Sequence, residues 1–92
     1  MTWNVTYSRT ADKQRAKLPG RLKTILDALI LEIMTLGPVR GTWPNYGKLG
    51  ADRHHCHLKK GQPTYVAVWH VTDKTIKLVE ITYVGTHEKA PY

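Results

Sequence analysis

A strong helical repeat ends at Gly37-Pro38, and this boundary constrains the fold more than any other feature of the chain. From Arg21 to about Leu36, apolar residues recur at steps of three and four positions, as in an amphipathic helix with one broad buried stripe. These apolar positions are Leu22, Ile25, Leu26, Leu29, Ile30, Ile33 and Met34. Glycine followed by proline stops such a helix, because glycine suits a helix end and proline cannot continue the helix.

Alternating residues on both sides of this helix predict strands. Trp3 to Tyr7 alternates apolar and polar residues, and Ser8 or Thr10 can cap a short basic helix that ends near Lys17. Four further strands and a polar tail are predicted at residues 46–49, 53–59, 64–71, 76–84 and 85–92. The order β-α-α-β-β-β-β predicts an α+β domain, in which a helical hairpin packs on a mostly antiparallel, twisted sheet.

The size and charge of the chain indicate one small basic domain. Residues 1–92 with 41% hydrophobic content are enough for a single core, so we expect no second domain and no general disorder. Fourteen Lys and Arg against seven Asp and Glu give a net charge of +7. A compact domain with this charge favours a polyanionic partner, either a nucleic acid or an acidic protein.

Cysteine content and hydropathy indicate the compartment. The single Cys56 permits no internal disulfide, which is compatible with a reducing environment. The first residues lack the basic and apolar regions of a signal peptide, and no apolar run approaches the roughly 20 residues that span a bilayer. We therefore expect a cytoplasmic protein with no membrane partner.

The stretch from Arg53 to Lys60 carries the chemistry. It holds three histidines and three cations within eight residues. Because strand side chains alternate, Arg53, His55, His57 and Lys59 are predicted on one face, with His54, Cys56, Leu58 and Lys60 on the other. Imidazoles transfer protons near neutral pH and cations bind phosphate, so the first face points to RNA chemistry. His54, beside Cys56 and Leu58, fits a structural role.

Two further residues are candidates for this chemistry. Glu80 is a carboxylate inside an apolar strand, which fits either a general base or partner of a histidine, or a surface carboxylate paired with a lysine. Tyr65 lies next to a turn and can stack a base, whereas Trp69 on the same strand face is more typical of a core. No CxxC or HxxxH spacing occurs, so we expect no metal and no cofactor, unless His87 or His70 joins His55 and His57 across the sheet.

Several segments, taken in order, resemble the RelE/ParE superfamily of bacterial toxin–antitoxin toxins. They are Trp3-Asn4-Val5-Thr6-Tyr7, Leu18-Pro19, Tyr46-Gly47-Lys48-Leu49, Lys60-Gly61, Val71-Thr72-Asp73, Val84-Gly85-Thr86-His87 and Tyr92. The resemblance covers essentially the whole chain. It implies a compact sheet with two helices and a basic site that, in the RelE branch, cuts messenger RNA without metal, usually in the ribosomal A site.

The resemblance also implies partners and residue roles. The partners are a cognate antitoxin that covers the site, messenger RNA and the ribosome, with the free toxin a monomer and the antitoxin complex larger. By position, Lys48 matches an RNA-contacting cation, Arg53–Lys60 matches the basic strand that lines the site, and His87 and Tyr92 match groups near the scissile phosphate. The predicted catalytic residues are thus His55, His57, His87, Glu80 and Tyr92, and the predicted RNA- and phosphate-binding residues are Lys48, Arg53, Lys59, Lys60 and Tyr65.

One departure from the family pattern concerns the cation that holds the phosphate. Relatives commonly carry arginine early in the penultimate strand, where this chain has Thr64-Tyr65-Val66. Arg53, Lys59 and Lys60 remain available for that role. The alternative function is a non-enzymatic ParE-type toxin that inhibits DNA gyrase, which needs no proton-transfer groups, so the histidine density argues against it. A member that only binds antitoxin or nucleic acid is a third possibility.

Overall fold

The structure, a computed structural model, describes residues 2–92 and contains two helices and five strands. Their order is β1 (Asn4–Tyr7), α1 (Arg9–Ala16), α2 (Gly20–Leu36), β2 (Gly47–Lys48), β3 (Arg53–His57), β4 (Tyr65–Asp73) and β5 (Leu78–Thr86). A short 3₁₀ turn, His87–Lys89, follows β5. This order confirms the predicted β-α-α-β-β-β-β arrangement. None of the helices among residues 2–92 has the length and apolar character needed to cross a bilayer.

The strands form one mixed sheet in the order β1-β5-β4-β3-β2. β1 runs parallel to β5, with Asn4 opposite Leu78, and the other three strand pairs are antiparallel. The prediction of a mostly antiparallel sheet is therefore confirmed. The two helices follow β1 and lead to β2, so they connect the two opposite edges of the sheet.

Local hydrogen bonds and backbone geometry mark the start of α1 and the end of α2. The Ser8 side chain accepts a hydrogen bond from the backbone N–H of Ala11 at 3.0 Å and so caps α1. α2 ends at Gly37, whose φ of 100° only glycine adopts easily and whose N–H donates to the carbonyl of Ile33. The buried stripe of α2 is narrower than predicted, since Met34 is 36% exposed.

Each face of the sheet has a different environment. The helices cover one face, where their apolar residues and those of the sheet form the main core. The opposite face, which we call the open face, carries a smaller apolar cluster of Val66, Val68 and Tyr83. β4 is buried on both sides, which explains why its sequence is a continuous apolar run rather than an alternating one.

Strand ends differ from the prediction where pairing overrides composition. β5 continues through Gly85 to Thr86, two residues beyond the predicted end, because Thr86 pairs with Tyr65 of β4. Its start moves from Ile76 to Leu78, because the Asp73 carboxylate accepts hydrogen bonds from the N–H groups of Thr75 and Ile76 and holds them in a turn. The longer β5 brings the C-terminal tail to the end of the sheet where β3 also ends.

A buried aromatic stack fixes β3 to the helix-covered face. His54 is 3% exposed, and its ring lies parallel to that of Trp69, with 5.8 Å between ring centroids. Its Nδ1 and the Tyr46 hydroxyl lie 2.7 Å apart in a hydrogen bond. The Trp69 indole N–H donates to the carbonyl of Pro38 at 2.9 Å. His54 is thus a structural residue, as the alternation of β3 indicated.

This stack predicts acid sensitivity. Burial lowers the pKa of His54 below its ordinary value, and the positive charge of Lys48 lowers it further. Below about pH 6.5 the unfolded chain therefore binds more protons than the folded one. The free energy of unfolding is then highest above that pH and falls as the pH drops. We expect the urea-derived free energy of unfolding to be lower at pH 5 than at pH 7.5. His54→Gln should flatten this pH dependence; an unchanged dependence would exclude His54 as a source.

Candidate active site

Four of the predicted catalytic side chains meet on the open face. The ring of His55 lies 4.6 Å from that of Tyr92, and the ring of His57 lies 5.5 Å from that of His87, measured between centroids. The rings of His87 and Tyr92 are 5.8 Å apart and meet edge to face. We call His55, His57, His87 and Tyr92 the histidine cluster. It joins two histidines of one strand to two aromatic residues of the tail, thirty or more positions later in the sequence.

Backbone and side-chain contacts hold the tail over the sheet. The N–H of His87 donates to the carbonyl of Thr64 at 2.9 Å. The Tyr83 hydroxyl donates to the carbonyl of Thr86 at 2.7 Å, and its ring lies over Gly85, where a Cβ would stand 2.8 Å from the hydroxyl oxygen. Glycine at position 85 therefore lets Tyr83 hold the segment that positions His87.

The strand register arranges the open face in three rows across β3, β4 and β5. From the tail outward, the rows are His57–Val66–Gly85, His55–Val68–Tyr83 and Arg53–His70–Glu80. The histidine cluster occupies the first two rows. The third row begins roughly 13 Å along the sheet from the first, since it is four residues away at about 3.3 Å each.

Glu80 lies in the third row and outside the histidine cluster. It pairs across the sheet with His70, and no ion pair within residues 2–92 joins it to a histidine. The role of Glu80 as a base or histidine partner stays a prediction, and the fold does not bring it beside His57. Arg53 is exposed in the same row, at the far end of β3 from the tail.

The His55 ring is enclosed between the short strand β2 and the tail. A Cβ at position 47 would lie 2.9 Å from His55 Nε2, so only glycine accommodates the ring there without displacement. His55 Nδ1 is buried and has no hydrogen-bond partner within residues 2–92. The ring of Tyr92 packs against the imidazole, with 4.6 Å between ring centroids. The catalytic role of His55 stays a prediction.

The environment of the cluster favours neutral imidazoles and a protonated phenol. Burial lowers the pKa of His55, and the charges of His57 and His87 lower it further. Burial also lowers the pKa of His57, with the charge of His87 as the second cause. Burial raises the pKa of the Tyr92 phenol. Near neutral pH, His57 can therefore accept a proton while Tyr92 keeps its own.

The predicted cations divide between the two faces. Lys59 and Lys60 follow β3 after Leu58, at the end where His57 lies, and no ion pair within residues 2–92 engages either. Lys48 pairs with His54 in the β2–β3 register, so it lies with His54 toward the helix-covered face. Tyr65 is half-buried and packs against the helix-side core. Of the predicted cations, Lys59 and Lys60 are the two that follow His57 in the chain at this end of β3.

The structure also bears on metal binding and on thiol chemistry. The tail does bring His87 to His57, the arrangement in which a shared ion was conceivable from the sequence. Within residues 2–92, however, no three His, Cys, Asp or Glu side chains are placed to hold a metal ion. Cys56 is buried, and burial raises the pKa of its thiol to about 12, so the thiol is not a nucleophile at neutral pH.

Two residues that shape the site were absent from the sequence prediction. Gly47 permits the position of His55, and Tyr83 holds the tail. A glycine inside a strand signals close approach of another group, and Gly47, in the strand predicted at residues 46–49, offered that signal. Gly85 was assigned to the polar tail and offered none. Nothing in the sequence indicated which ring each glycine would accommodate.

Structural comparison identifies the architecture. The isolated RelE toxin of Escherichia coli is 19% identical, with 97% of this chain and 88% of that chain covered at a TM-score of 0.71. RelE in the archaeal RelE–RelB complex from Pyrococcus horikoshii is 15% identical. The comparison covers 98% of this chain and 100% of that chain, at a TM-score of 0.70. The YoeB chain in the dimer from Staphylococcus aureus is 16% identical. The comparison covers 95% of this chain and 99% of that chain, at a TM-score of 0.70.

Sequence comparison adds no assignment, because no protein-family model and no curated protein matches the chain. The likeness to solved structures extends over nearly the whole length of each partner in the comparison. The order of elements, the five-stranded mixed sheet and the two helices are common to them. The predicted RelE-like fold is confirmed, and the chain has the architecture of the RelE toxins.

Proposed function

We propose that this protein is the toxin of a type II toxin–antitoxin system and that it cuts messenger RNA without metal, in the cytoplasm and on the ribosome. The observation that carries the proposal is the histidine cluster on the open face of a RelE-type fold. Three imidazoles and a phenol converge there, and two lysines that form no ion pair within residues 2–92 follow the same strand. A non-catalytic protein has no need for such a set of proton-transfer groups.

The proposed reaction is attack of the ribose 2′-OH on the adjacent phosphorus. The 2′-oxygen forms a bond to phosphorus, the bond to the 5′-oxygen breaks, and the products carry a 2′,3′-cyclic phosphate and a 5′-OH. His57 accepts the 2′-OH proton, since its lowered pKa keeps it neutral. His87 donates a proton to the leaving 5′-oxygen. The two rings are neighbours, and a charge on one opposes a charge on the other, so the pair divides into a base and an acid.

The remaining groups hold the substrate. Lys59 and Lys60 supply the positive charge that stabilises the non-bridging phosphate oxygens, with the net charge of +7 attracting the RNA from a distance. Tyr92 is 44% exposed and presents a ring edge and a protonated hydroxyl to a base or phosphate. His55 acts by supporting Tyr92. RNA beyond the scissile linkage would be contacted by Arg53, Lys48 and Tyr65. Glu80 lies in the third row, so it would act only on RNA or side chains at that end of the sheet.

The proposed protein partner is a cognate antitoxin. RelE chains with the same fold occur in complexes with RelB, in the Pyrococcus horikoshii and Escherichia coli structures. An acidic antitoxin segment that covers the histidine cluster and the flanking lysines would match the charge of this surface and exclude RNA. The free toxin would be a monomer, and the complex with antitoxin a larger assembly.

Cleavage of messages by purified protein tests the proposal. Translating ribosomes incubated with stoichiometric protein should yield fragments that begin with a 5′-OH. A message with a single 2′-deoxy nucleotide at the cut site should resist cleavage there, because the nucleophile is missing. Intact messages with wild-type protein would contradict the proposal. Inhibition of DNA supercoiling by gyrase without RNA cleavage would instead support the ParE-type alternative.

A further inference from the structure

A cleft lies beside the histidine cluster, and of its lining residues only Tyr65 was given an RNA-binding role above. It has a volume of about 490 Å³, is bordered by Lys17 and Lys89, and is lined between them by Tyr65, Tyr83, Gly85 and Thr86. None of its lining residues is acidic. Its size falls in the range of about 300–1,000 Å³ that is typical of small-molecule sites.

The cleft exists because β1 covers only part of β5. The register of β1 with β5 ends at Tyr7 opposite Ile81, so the last residues of β5 have no strand beside them on that side. Gln14 of α1 takes the place of a strand at one point, where its side-chain oxygen accepts a hydrogen bond from the N–H of Val84 at 3.0 Å. The rest of this edge stays open between the end of α1 and the tail.

The cleft and the histidine cluster share the same stretch of backbone. Gly85 lines the cleft and belongs to the row that contains His57. Thr86 also lines the cleft, and the next residue is His87 of the cluster. A chain of RNA that places one linkage on His57 and His87 can therefore continue around Gly85–Thr86 into the cleft.

We propose that this cleft binds the nucleotide next to the cleaved linkage. Tyr65, which is half-buried, offers its ring to the base, and Tyr83 forms the wall because its hydroxyl is bonded to Thr86. Lys17 and Lys89, both exposed, contact the phosphates on either side of that nucleotide. The two cations without a carboxylate favour a polyanion over a neutral ligand. The assignment rests on the proposed ribonuclease function and defines a subsite of it.

Cleavage of RNAs of graded length tests the subsite. For wild-type protein, adding one nucleotide on the side that reaches the cleft should lower the KM by about tenfold, the lower part of the range for one stacked base. The double variant Lys17→Ala/Lys89→Ala should lose most of this gain, with kcat within twofold of wild type. Both lysines are exposed, so folding should be retained. Lys74→Ala, an exposed cation at the opposite end of the sheet, is the matched control and should keep the gain.

A second measurement separates failure of the subsite from failure of the ribonuclease proposal. An all-2′-deoxy oligonucleotide cannot be cleaved, so its binding can be followed by NMR shifts of Lys17, Tyr65 and Lys89 even if no RNA is cut. Shifts at these residues that Lys17→Ala/Lys89→Ala weakens would support the subsite. Cleavage without length dependence, or shifts caused by an acidic peptide and not by the oligonucleotide, would overturn it while leaving the ribonuclease proposal intact.

Discussion

Replacing His57 by alanine is expected to slow RNA cleavage by about 10²- to 10⁴-fold, the usual contribution of a positioned proton acceptor. Burial lowers the pKa of His57, and no other imidazole of β3 or β4 lies in the same row. The acidic limb of the wild-type pH–rate profile should lie below about pH 6.5, because His57 must lose its proton before it can act. Single-turnover cleavage across pH 5 to 8 measures both effects.

Two comparisons make this result specific to proton transfer. His87→Ala should slow cleavage by a similar factor. The double variant His57→Ala/His87→Ala should be little slower than either single variant, because the two groups act on one transition state. His70→Ala lies on the same face in the third row and should stay within twofold of wild type. Binding of an uncleavable 2′-deoxy RNA analogue should change little in any of them. Equal losses for His57→Ala and His70→Ala would point to a general disturbance of the sheet.

Replacing Trp69 by alanine is expected to lower the free energy of unfolding by about 3–5 kcal/mol. Trp69 is fully buried, stacks on His54 and donates to the carbonyl of Pro38, so its loss opens a cavity and leaves that carbonyl without its partner. Domains of this size have total stabilities of about 5–15 kcal/mol, so the loss removes a large fraction. The midpoint of thermal unfolding should fall by at least about 12 °C.

Milder substitutions check the cause of this loss. Trp69→Phe keeps a ring against His54 and removes the indole N–H, so it should cost clearly less than alanine. Trp43→Ala serves as the control, because Trp43 is only half-buried and its indole N–H donates to Glu32 at the protein surface. Chemical denaturation with circular dichroism measures all three. A cost for Trp43→Ala as large as for Trp69→Ala would contradict the central place of Trp69 in the core.

Residues of β3 show how far a sequence pattern can predict a site. Alternation along Arg53–Lys60 predicted that His55 and His57 share one face and that His54 and Cys56 share the other, and the burial pattern confirms this division. The prediction was possible because the strand period is two and only one of the two sets contains apolar residues. The division of His54 from His55 needed no knowledge of the partner strands.

Glu80 and Lys48 show what local pattern leaves undetermined. Glu80 shares the open face with the histidines, but the β4–β5 register, shifted by an irregularity between Val68 and Trp69, sets its row. Lys48 lies in a strand of only two residues, and its pairing with His54 decides which face it joins. Both outcomes depend on contacts between segments that are distant in the chain, which periodicity does not report.

The contacts of the tail and the existence of the cleft could be found only from the folded structure. Convergence of His87 and Tyr92 with β3 was implied by resemblance, whereas the contacts that produce it, from Thr64 and Tyr83, have no sequence signature. The open edge of β5 arises because β1, which ends at Tyr7 as predicted, pairs with β5 only as far as Ile81, and this pairing has no local sequence signature. The sequence of the basic helix does not indicate that Gln14 accepts a hydrogen bond from the backbone of β5.

The contact between Gly47 and His55 restricts how this site can vary in evolution. A Cβ at position 47 would stand 2.9 Å from Nε2 of the imidazole, so a larger residue there would displace the His55 ring from its contact with Tyr92. We expect homologous chains to divide into those with the pair Gly and His and those with a smaller side chain at position 55, where position 47 is free to change. Co-variation of these two positions would then mark the homologues in which the last aromatic residue rests on an imidazole.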